Sequence, residues 1–500
     1  MHDCTVSLPL PTSLLPLVSP ELTRRISSLW KQIQDLVDEF LANRMTPKAT
    51  HDFEITLASL LRKIGREIVM SVYNHIEPDD DDTDSAPRRI VFAGETYRLK
   101  PKSSNRHLGT LFGTITLDRF LYEPLEPGEH SIFPLEINLG VESRNATPAL
   151  AERVGELAAS STQSEVLSTL VRDHGVSWSV GTLRNVTASL SAEMSPHLHQ
   201  AQVKQVVDWL GEASASKGRH KPVLSVGRDG IFVPIRNEKG YKEGAVATLS
   251  VSNRKGQRLG TVYQAQMPEP GQPTLSRELT NVIEEVIGQW DGPLPRLAYV
   301  TDAGHHPREY YTGTLNKMRH PRCPQQRLEW LWIVDFYHAS EYVGKLAAAL
   351  FGETREAHAW ARKMCKWLKH KPNAVFRVLH SAAKHKSEQS LTTKDAKAYQ
   401  SAYDYLKNHK AYMDYAEYRK RGLPIGSGVT EAGCKTVFTQ RFKQSGMSWH
   451  VEDGQNILDL RVIRLSKLWT EVHQSYLASK PLVDMPTKRE LITKTLKKAA

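Results

Sequence analysis

The sequence predicts a multidomain α/β protein. A mixed-sheet core is split by a long all-α insertion and preceded by helical and small β modules and a helix-turn-helix. Three observations carry this expectation. Five hundred residues exceed one ordinary domain, and roughly one domain per 150 residues gives about three. Between 220 and 340, three strand-like segments are followed by alternating helix and strand patterns. Residues 340–420 then read as helix throughout, with no strand character.

From the N-terminus, residues 1–76 form a helical region, with "LTRRISSLWKQIQDLVDEFLANRM" showing apolar residues at three-to-four spacing. The start, "MHDCTVSLPLPTSLLPLVSP", has four prolines and no basic leader, so it does not read as a signal peptide. Residues 77–88 lie in "EPDDDDTDSAPRR", whose five aspartates and two prolines read as a solvated linker. Residues 89–140 turn to short strands, "RRIVFAGETYRLK" and "GTLFGTITLDRFLYEP", which make a small β module.

Residues 147–200 are expected to hold a helix-turn-helix in "SEVLSTLVRDHGVSWSVGTLRNVTASL". The first helix ends at His174-Gly175, Ser179 caps the second, and Arg184 and Asn185 lie on its exposed face as DNA-contact candidates. In the core, "KPVLSVGRDGIFVPI" is a strand broken at Arg228-Asp229-Gly230, and "EGAVATLSVSNRKGQRLGTVYQAQM" is a hairpin turning at Asn253–Gly256. "TLSRELTNVIEEVIGQW" is an amphipathic helix, "PRLAYVTDAG" a buried strand, "REYYTGTLNKM" a helix and "LEWLWIVDFYHA" a further strand. That order is the order of a ribonuclease-H-like fold, here assigned to 220–339 and 421–470, with 340–420 as insertion and 471–500 as a basic tail.

The composition is 40% hydrophobic and 24% charged, and no apolar run approaches the roughly 20 residues of a membrane helix. Cys4, Cys323, Cys365 and Cys434 are scattered without a CxxC pair, which argues against a disulfide scaffold and a zinc ribbon and fits the cytoplasm. Net charge is +11, and it is regional. Residues 341–500 carry 29 Lys and Arg against 15 Asp and Glu, whereas residues 1–340 carry 37 against 40. A basic region of this kind suits a polyanionic partner, although a solvated helical face accounts for a charge bias as well.

Three acids stand at element ends: Asp229 after the first strand's apolar run, Asp302 after "LAYVT", and Glu431 at a helix start after Gly426-Ser427-Gly428. Taken singly, each aspartate is also a good turn residue, and Glu431 is favoured by the helix dipole. Taken together, they supply the hard oxygen ligands of a Mg²⁺ site for phosphoryl transfer. Gly230, Ala303, Gly304, Ala432 and Gly433 beside them leave room for a nucleic-acid backbone. A phosphate loop is rejected because "GVTEAGCKT" lacks the GxxxxGK[ST] spacing.

The ordered segments "GRDGIFVP", "YVTDAGHHPREYY", "WIVDFYHASEYV", "GLPIGSGVTEAGCK" and "RFKQSGMSWHVEDGQNILDLRV" resemble bacterial insertion-sequence DDE transposases of the ISKra type. The resemblance spans about residues 105–470. It implies a ribonuclease-H-like core with a helical insertion before the final Glu, and Asp229, Asp302 and Glu431 as catalytic, metal-binding triad. Asp335 and His338 in "DFYH" are similar to a D/CxxH motif and stand as auxiliary site residues. His338 contacts a phosphate, assists proton transfer, or is simply a strand-end residue. Arg441 and Lys443 are taken as DNA contacts, as is Trp449, which either stacks on an extruded base or belongs to the core.

Relatives commonly carry paired cysteines in the segment matching "GTLFGTITLDRFLYEPLEPGEHSIFPLEINLG", and this chain has none there, so no structural zinc is expected. The expected cofactor is Mg²⁺, with Mn²⁺ as a substitute. The expected partner is double-stranded DNA, both element ends and target, bound by a homo-oligomer in the cytoplasm or nucleoid and away from membranes. Two rivals stay open: a catalytically inactive, transposase-derived DNA-binding protein, and a ribonuclease-H-like nuclease without joining activity.

Overall fold

A computed structural model of the chain describes residues 20–77, 86–126, 130–238 and 240–485. They fall into two compact units, Met1–Leu190 with Tyr476–Ala500, and Ser191–Ser475.

In the first unit, α1 (Pro20–Ala42) and α2 (Pro47–Asn74) pair as a helical hairpin. Thr46 starts α2: its side chain accepts from Ala49 N, and Pro47 occupies the first turn, where its missing N–H costs nothing. Strands β1 (Arg89–Phe92), β2 (Glu95–Thr110) and β3 (Gly113–Pro124) form an antiparallel meander. Period-two burial lets it hold two apolar clusters, one around Ile90, Phe120 and Tyr122 and one around Leu108, Ile115 and Leu117.

Most of the acidic linker, 78–85, lies outside the described residues. Its first residue departs from the expectation of a solvated segment. Glu77 is buried and accepts a hydrogen bond from Phe120 N at 2.9 Å, and burial pushes its carboxyl up to about 7.

After α3 (Pro134–Asn138) come α4 (Pro148–Ala158), α5 (Gln163–Thr169) with a π-helical turn Leu170–His174, and α6 (Val180–Ala215). Gly175 takes the left-handed conformation (φ 64°) that closes the first of these helical runs. Ser179 Oγ accepts from Thr182 N at 3.0 Å, as an N-cap does. Leu150, Val154, Val166, Leu170, Val176, Leu183 and Val186 bury together beneath this succession. The second helix runs to Ala215, well past the expected boundary at 200, and the division between the units falls within it.

The second unit is built on a five-stranded mixed sheet in the order β10-β7-β4-β5-β6. Strands β4 (Val223–Pro234), β5 (Tyr241–Ser252) and β6 (Arg258–Gln266) are antiparallel neighbours. After α7 (Pro273–Gln289), β7 (Arg296–Thr301) returns parallel to β4, and β10 (Trp330–Val334) lies parallel to β7. Between them are α8 (His305–Gly313) and a small hairpin, β8 (Arg319–His320) with β9 (Cys323–Arg327).

Two expectations need correction here. β4 is not broken at 228–230, because β5 pairs with it without interruption from Val223 to Pro234. Nor is "LEWLWIVDFYHA" all strand: β10 stops at Val334, and Asp335 caps α9 (Phe336–Phe351) by accepting from His338 N.

That helix opens the helical block, so the block begins at 336 and not 340. It continues through α10 (Arg355–His370), α11 (Ala374–Ser387), α12 (Thr393–His409) and α13 (Tyr415–Lys420) around Val343, Leu346, Trp360, Leu379, Tyr399 and Leu406. The chain then re-enters the sheet region as α14 (Gly428–Cys434), a π-helical turn Lys435–Thr439 and α15 (Gln440–Phe442), followed by α16 (Val451–Leu465) and α17 (Trp469–Ser479). The expected basic tail is therefore helical as far as Ser479, and residues 486–500 lie outside the described residues. Among the described residues, no helix is long and apolar enough to cross a membrane.

Helix α14 rests on β4 and β5 at a contact that only glycine permits. A Cβ at Gly227 would lie 2.0 Å from Thr430 Oγ1, which is itself fixed at 2.8 Å from Thr248 Oγ1. Gly227→Ala is expected to cost about 1–3 kcal/mol through overpacking, measured by urea denaturation. An unchanged curve would mean that α14 does not sit this close.

Candidate active site

Asp229 sits inside β4 at a point where the sheet opens. β7 pairs with β4 only from Val223 to Val226, so beyond Val226 one edge of β4 is released while β5 continues to support the other. The residue was expected at a strand end and is in mid-strand; the opening comes from the departure of the neighbour. Its Oδ1 accepts from Gly230 N at 2.8 Å, and the Cys434 thiol lies 3.5 Å from Oδ2. Burial raises the Asp229 carboxyl to about 6, with Asp302 and Glu431 contributing as nearby negative charges. The same burial and the Asp229 charge push the Cys434 thiol up.

Asp302 follows the last residue of β7, and Ala303 after it takes φ 66°, a left-handed conformation unusual for a residue with a side chain. Gly304 N donates to Asp302 Oδ1 at 2.9 Å, closing the turn, and Tyr405 OH donates to the Asp302 carbonyl at 2.9 Å. A tyrosine of the helical block thus fixes the backbone of a candidate ligand. The Tyr405 ring stacks on Tyr342 with centroids 3.7 Å apart, and the half-buried His338 ring packs edge-on at 5.8 Å. His338 is thus linked to the Asp302 backbone through the Tyr405 side chain, and its own Nδ1 lies 3.6 Å from Glu341 Oε2.

Glu431 is exposed in the first turn of α14, and one hydroxyl organises its carboxylate. Ser427 Oγ lies 2.6 Å from Glu431 Oε1 and 2.6 Å from Asp335 Oδ2. Asp335, fully buried, also accepts from Ser427 N through Oδ2, and from His338 N at 2.8 Å through Oδ1. Neither Ser427 nor Thr430 caps α14 with its side chain. Ser427 is occupied by the two carboxylates, and Thr430 is buried against Thr248. Asp335 emerges as the anchor of the α14 entry. Sequence spacing held no signal of its partner, since Ser427 lies 92 residues away.

The small residues divide by role. Ala432 is exposed, whereas Gly433 is buried against Tyr263, Val246 and Thr248, so it serves helix-on-sheet packing and not the approach of a ligand. Arg228, next to Asp229 but directed to α7 by strand alternation, is a buried cation missed by the sequence reading. Its guanidinium donates to Ser276 Oγ and Gln272 Oε1 and lies 4.7 Å from the Tyr310 ring centre.

Of the expected DNA contacts, Arg184 and Asn185 are exposed on α6, and Lys443 is exposed with its ammonium 5.8 Å from the Tyr241 ring. Arg441 is different: it is 1% exposed and packs 5.0 Å over Trp449, so it is not presented to a phosphate. Trp449 is half-buried. Its ring lies 4.6 Å from Phe442, its Nε1 donates to Phe442 O, and its backbone pairs with Pro234 and Arg236. Those contacts make it a structural residue extending the end of β4.

Hard carboxylate oxygens on Asp229, Asp302 and Glu431 match the donor chemistry of a divalent cation, and their mutual repulsion is what such an ion relieves. They are not a ready-made cage. Among the described residues, no three His, Cys, Asp or Glu side chains are grouped closely enough to hold an ion as they stand. Compared with known proteins, the chain matches no family model and no curated protein.

Two outcomes follow for the metal-free protein. The Asp229 pKa of about 6 exceeds its ordinary 3.8, so the protonated side chain favours folding below about pH 4 and that advantage is lost as the pH rises towards 6. Asp229→Asn in EDTA is therefore expected to be more stable than wild type at pH 7 by about 1–2 kcal/mol, with the difference gone at pH 4. Parallel urea curves at the two pH values check this. Asp335→Ala is expected to cost about 3 kcal/mol, since buried donors on Ser427 and His338 lose their acceptor; a cost below about 1 kcal/mol contradicts the anchoring role.

Proposed function

We propose that this chain is a DNA transposase whose Asp229, Asp302 and Glu431 form the catalytic, metal-binding triad. The observation that carries the reading is their proximity: Asp229 and Asp302 come from adjacent parallel strands, Glu431 comes from a helix resting on β4 and β5, and both other acids act electrostatically on Asp229. The sheet order supports it. Three antiparallel strands followed by two parallel ones, ordered β6-β5-β4-β7-β10, are what a ribonuclease-H-like core requires. The helical block from α9 to α13, inserted between β10 and α14, matches the insertion that the resemblance implies.

In this reading Asp229, Asp302 and Glu431 would hold Mg²⁺, which would supply Lewis-acid chemistry for phosphoryl transfer. The chain's own residues set the geometry. Asp335 fixes Ser427, Ser427 orients the Glu431 carboxylate, and Tyr405 holds the Asp302 backbone. His338 is assigned to contact with a strand phosphate. Water attacks phosphorus at the element end and displaces the 3′-oxygen, which leaves as a 3′-hydroxyl; that hydroxyl then attacks a target phosphodiester and displaces the target's own 3′-hydroxyl. Arg184 and Asn185 on α6 and Lys443 after α15 are the exposed residues assigned to duplex contact, and α5–α6 is assigned as the helix-turn-helix. A homo-oligomer fits the need to pair two ends.

One observation favours a non-catalytic, DNA-binding reading: the Glu431 carboxylate is engaged by the Ser427 hydroxyl. A single assay separates the two. Purified protein, labelled duplex carrying the DNA that flanks the gene, and Mg²⁺ should give strand cleavage and joined products. Asp229→Asn, Asp302→Asn and Glu431→Gln should each reduce the rate at least 100-fold. Binding without cleavage in wild type, or cleavage that persists in the variants, overturns the proposal.

A further inference from the structure

The parallel strands have a second end. Strands β4, β7 and β10 start together, with Val223 opposite Arg296 and Leu297 opposite Trp330, and a cleft of about 440 Å³ opens beside these starts. Its charged lining is Lys221, Arg296, Arg327 and Arg421 against one carboxylate, Glu329. In sheets of this kind ligands gather at the carboxyl ends of the strands, so catalysis at Asp229 and Asp302 gives no reason for cations at the opposite end.

The cations are close enough to oppose one another. Arg296 donates through Nη1 to the Arg421 backbone carbonyl, and burial together with the Arg421 charge holds its guanidinium below the usual arginine range. Glu417 offsets this only in part. Arg327 spends one donor on Asn316 Oδ1 at 2.5 Å. A guanidinium carries five donors in a fixed fork, so both arginines retain donors for an incoming anion.

The rim adds to the charge. The β8–β9 hairpin that carries Arg327 is exposed from Pro321 to Arg327, and "MRHPRCPQQR" holds three arginines and no acid. Arg322 is already paired with Asp291 at 2.6 Å and Arg319 donates to the Pro324 carbonyl at 2.8 Å, which leaves Arg327 as the hairpin's contribution to the lining.

We infer that this cleft is a phosphate-binding site that grips the backbone of duplex DNA at the end of the sheet opposite the carboxylates. The choice of DNA as the source of phosphate rests on the proposed function. β7 is six residues long, and strands rise about 3.3 Å per residue, so the cleft and Asp302 are about 20 Å apart. DNA gripped here is thus held about one duplex diameter from the phosphodiester at the carboxylates, as a second duplex or a distal segment of the first.

The test is fluorescence anisotropy with a labelled 30-base-pair duplex of arbitrary sequence, titrated between 50 and 200 mM salt. Each phosphate contact contributes about 0.9 to the slope of log affinity against log salt. The double variant Lys221→Glu/Arg327→Glu should lower the slope by about 1.8 and shrink the affinity loss over that range about tenfold. Lys221→Arg/Arg327→Lys should keep the wild-type slope, and unchanged thermal melting confirms folding. An unchanged slope in the charge-reversed protein overturns the site, as does a wild type whose duplex binding does not respond to salt. A reduced slope in a protein that cleaves nothing keeps this cleft and sinks the transposase reading; normal cleavage with an unchanged slope does the reverse.

Discussion

The arrangement depends on one buried carboxylate. Asp335 follows β10, caps α9, and accepts from both the backbone and the hydroxyl of Ser427 at the start of α14. With these contacts it joins the two sides of a helical excursion of about 90 residues, so the chain leaves and re-enters the sheet at one place. Removing an acceptor from buried donors leaves them unsatisfied at the full desolvation cost. Because Ser427 is also bonded to Glu431, the pin that closes the insertion is the same group that aims a candidate ligand.

Packing then sets how near the third acid comes. Gly227 lets the Thr430 face of α14 settle on β4, and Gly433 lets the same helix lie against Val246, Thr248 and Tyr263. Close packing of this kind transmits small errors, since an extra methyl on the sheet lifts the helix as a body. The cost of the resulting proximity appears on Asp229, whose carboxyl is pushed up by burial and by two other acids. The charged form of Asp229 is thus disfavoured where it sits, a perturbation that functional sites and structural clusters of acids share.

Much of this was legible in the sequence because periodicity reports burial. The meander over 89–124, the β5–β6 hairpin, α7 and the long helical block all announced themselves by spacing. What was lost was long-range or depended on a neighbour's path. Asp229 looked like a strand end because "RDG" is turn-like, and only the uninterrupted β5 partner keeps it in the ladder. The β8–β9 hairpin was missed because "RHPRCPQQR" lacks apolar alternation and contains two prolines. Arg441 and Trp449 read as DNA contacts by residue type, yet they are packed with Phe442, where cation, aromatic rings and a backbone carbonyl satisfy one another. The Asp335–Ser427–Glu431 chain had no local signature at all.

The central claim is that Asp229, Asp302 and Glu431 make one cation site. Mn²⁺ binding, followed by water-proton relaxation enhancement, tests it without reference to cleavage. Wild type should bind Mn²⁺, and Asp229→Asn, Asp302→Asn and Glu431→Gln should each weaken binding at least tenfold while retaining the fold. Equal Mn²⁺ binding by wild type and all three variants would contradict the account.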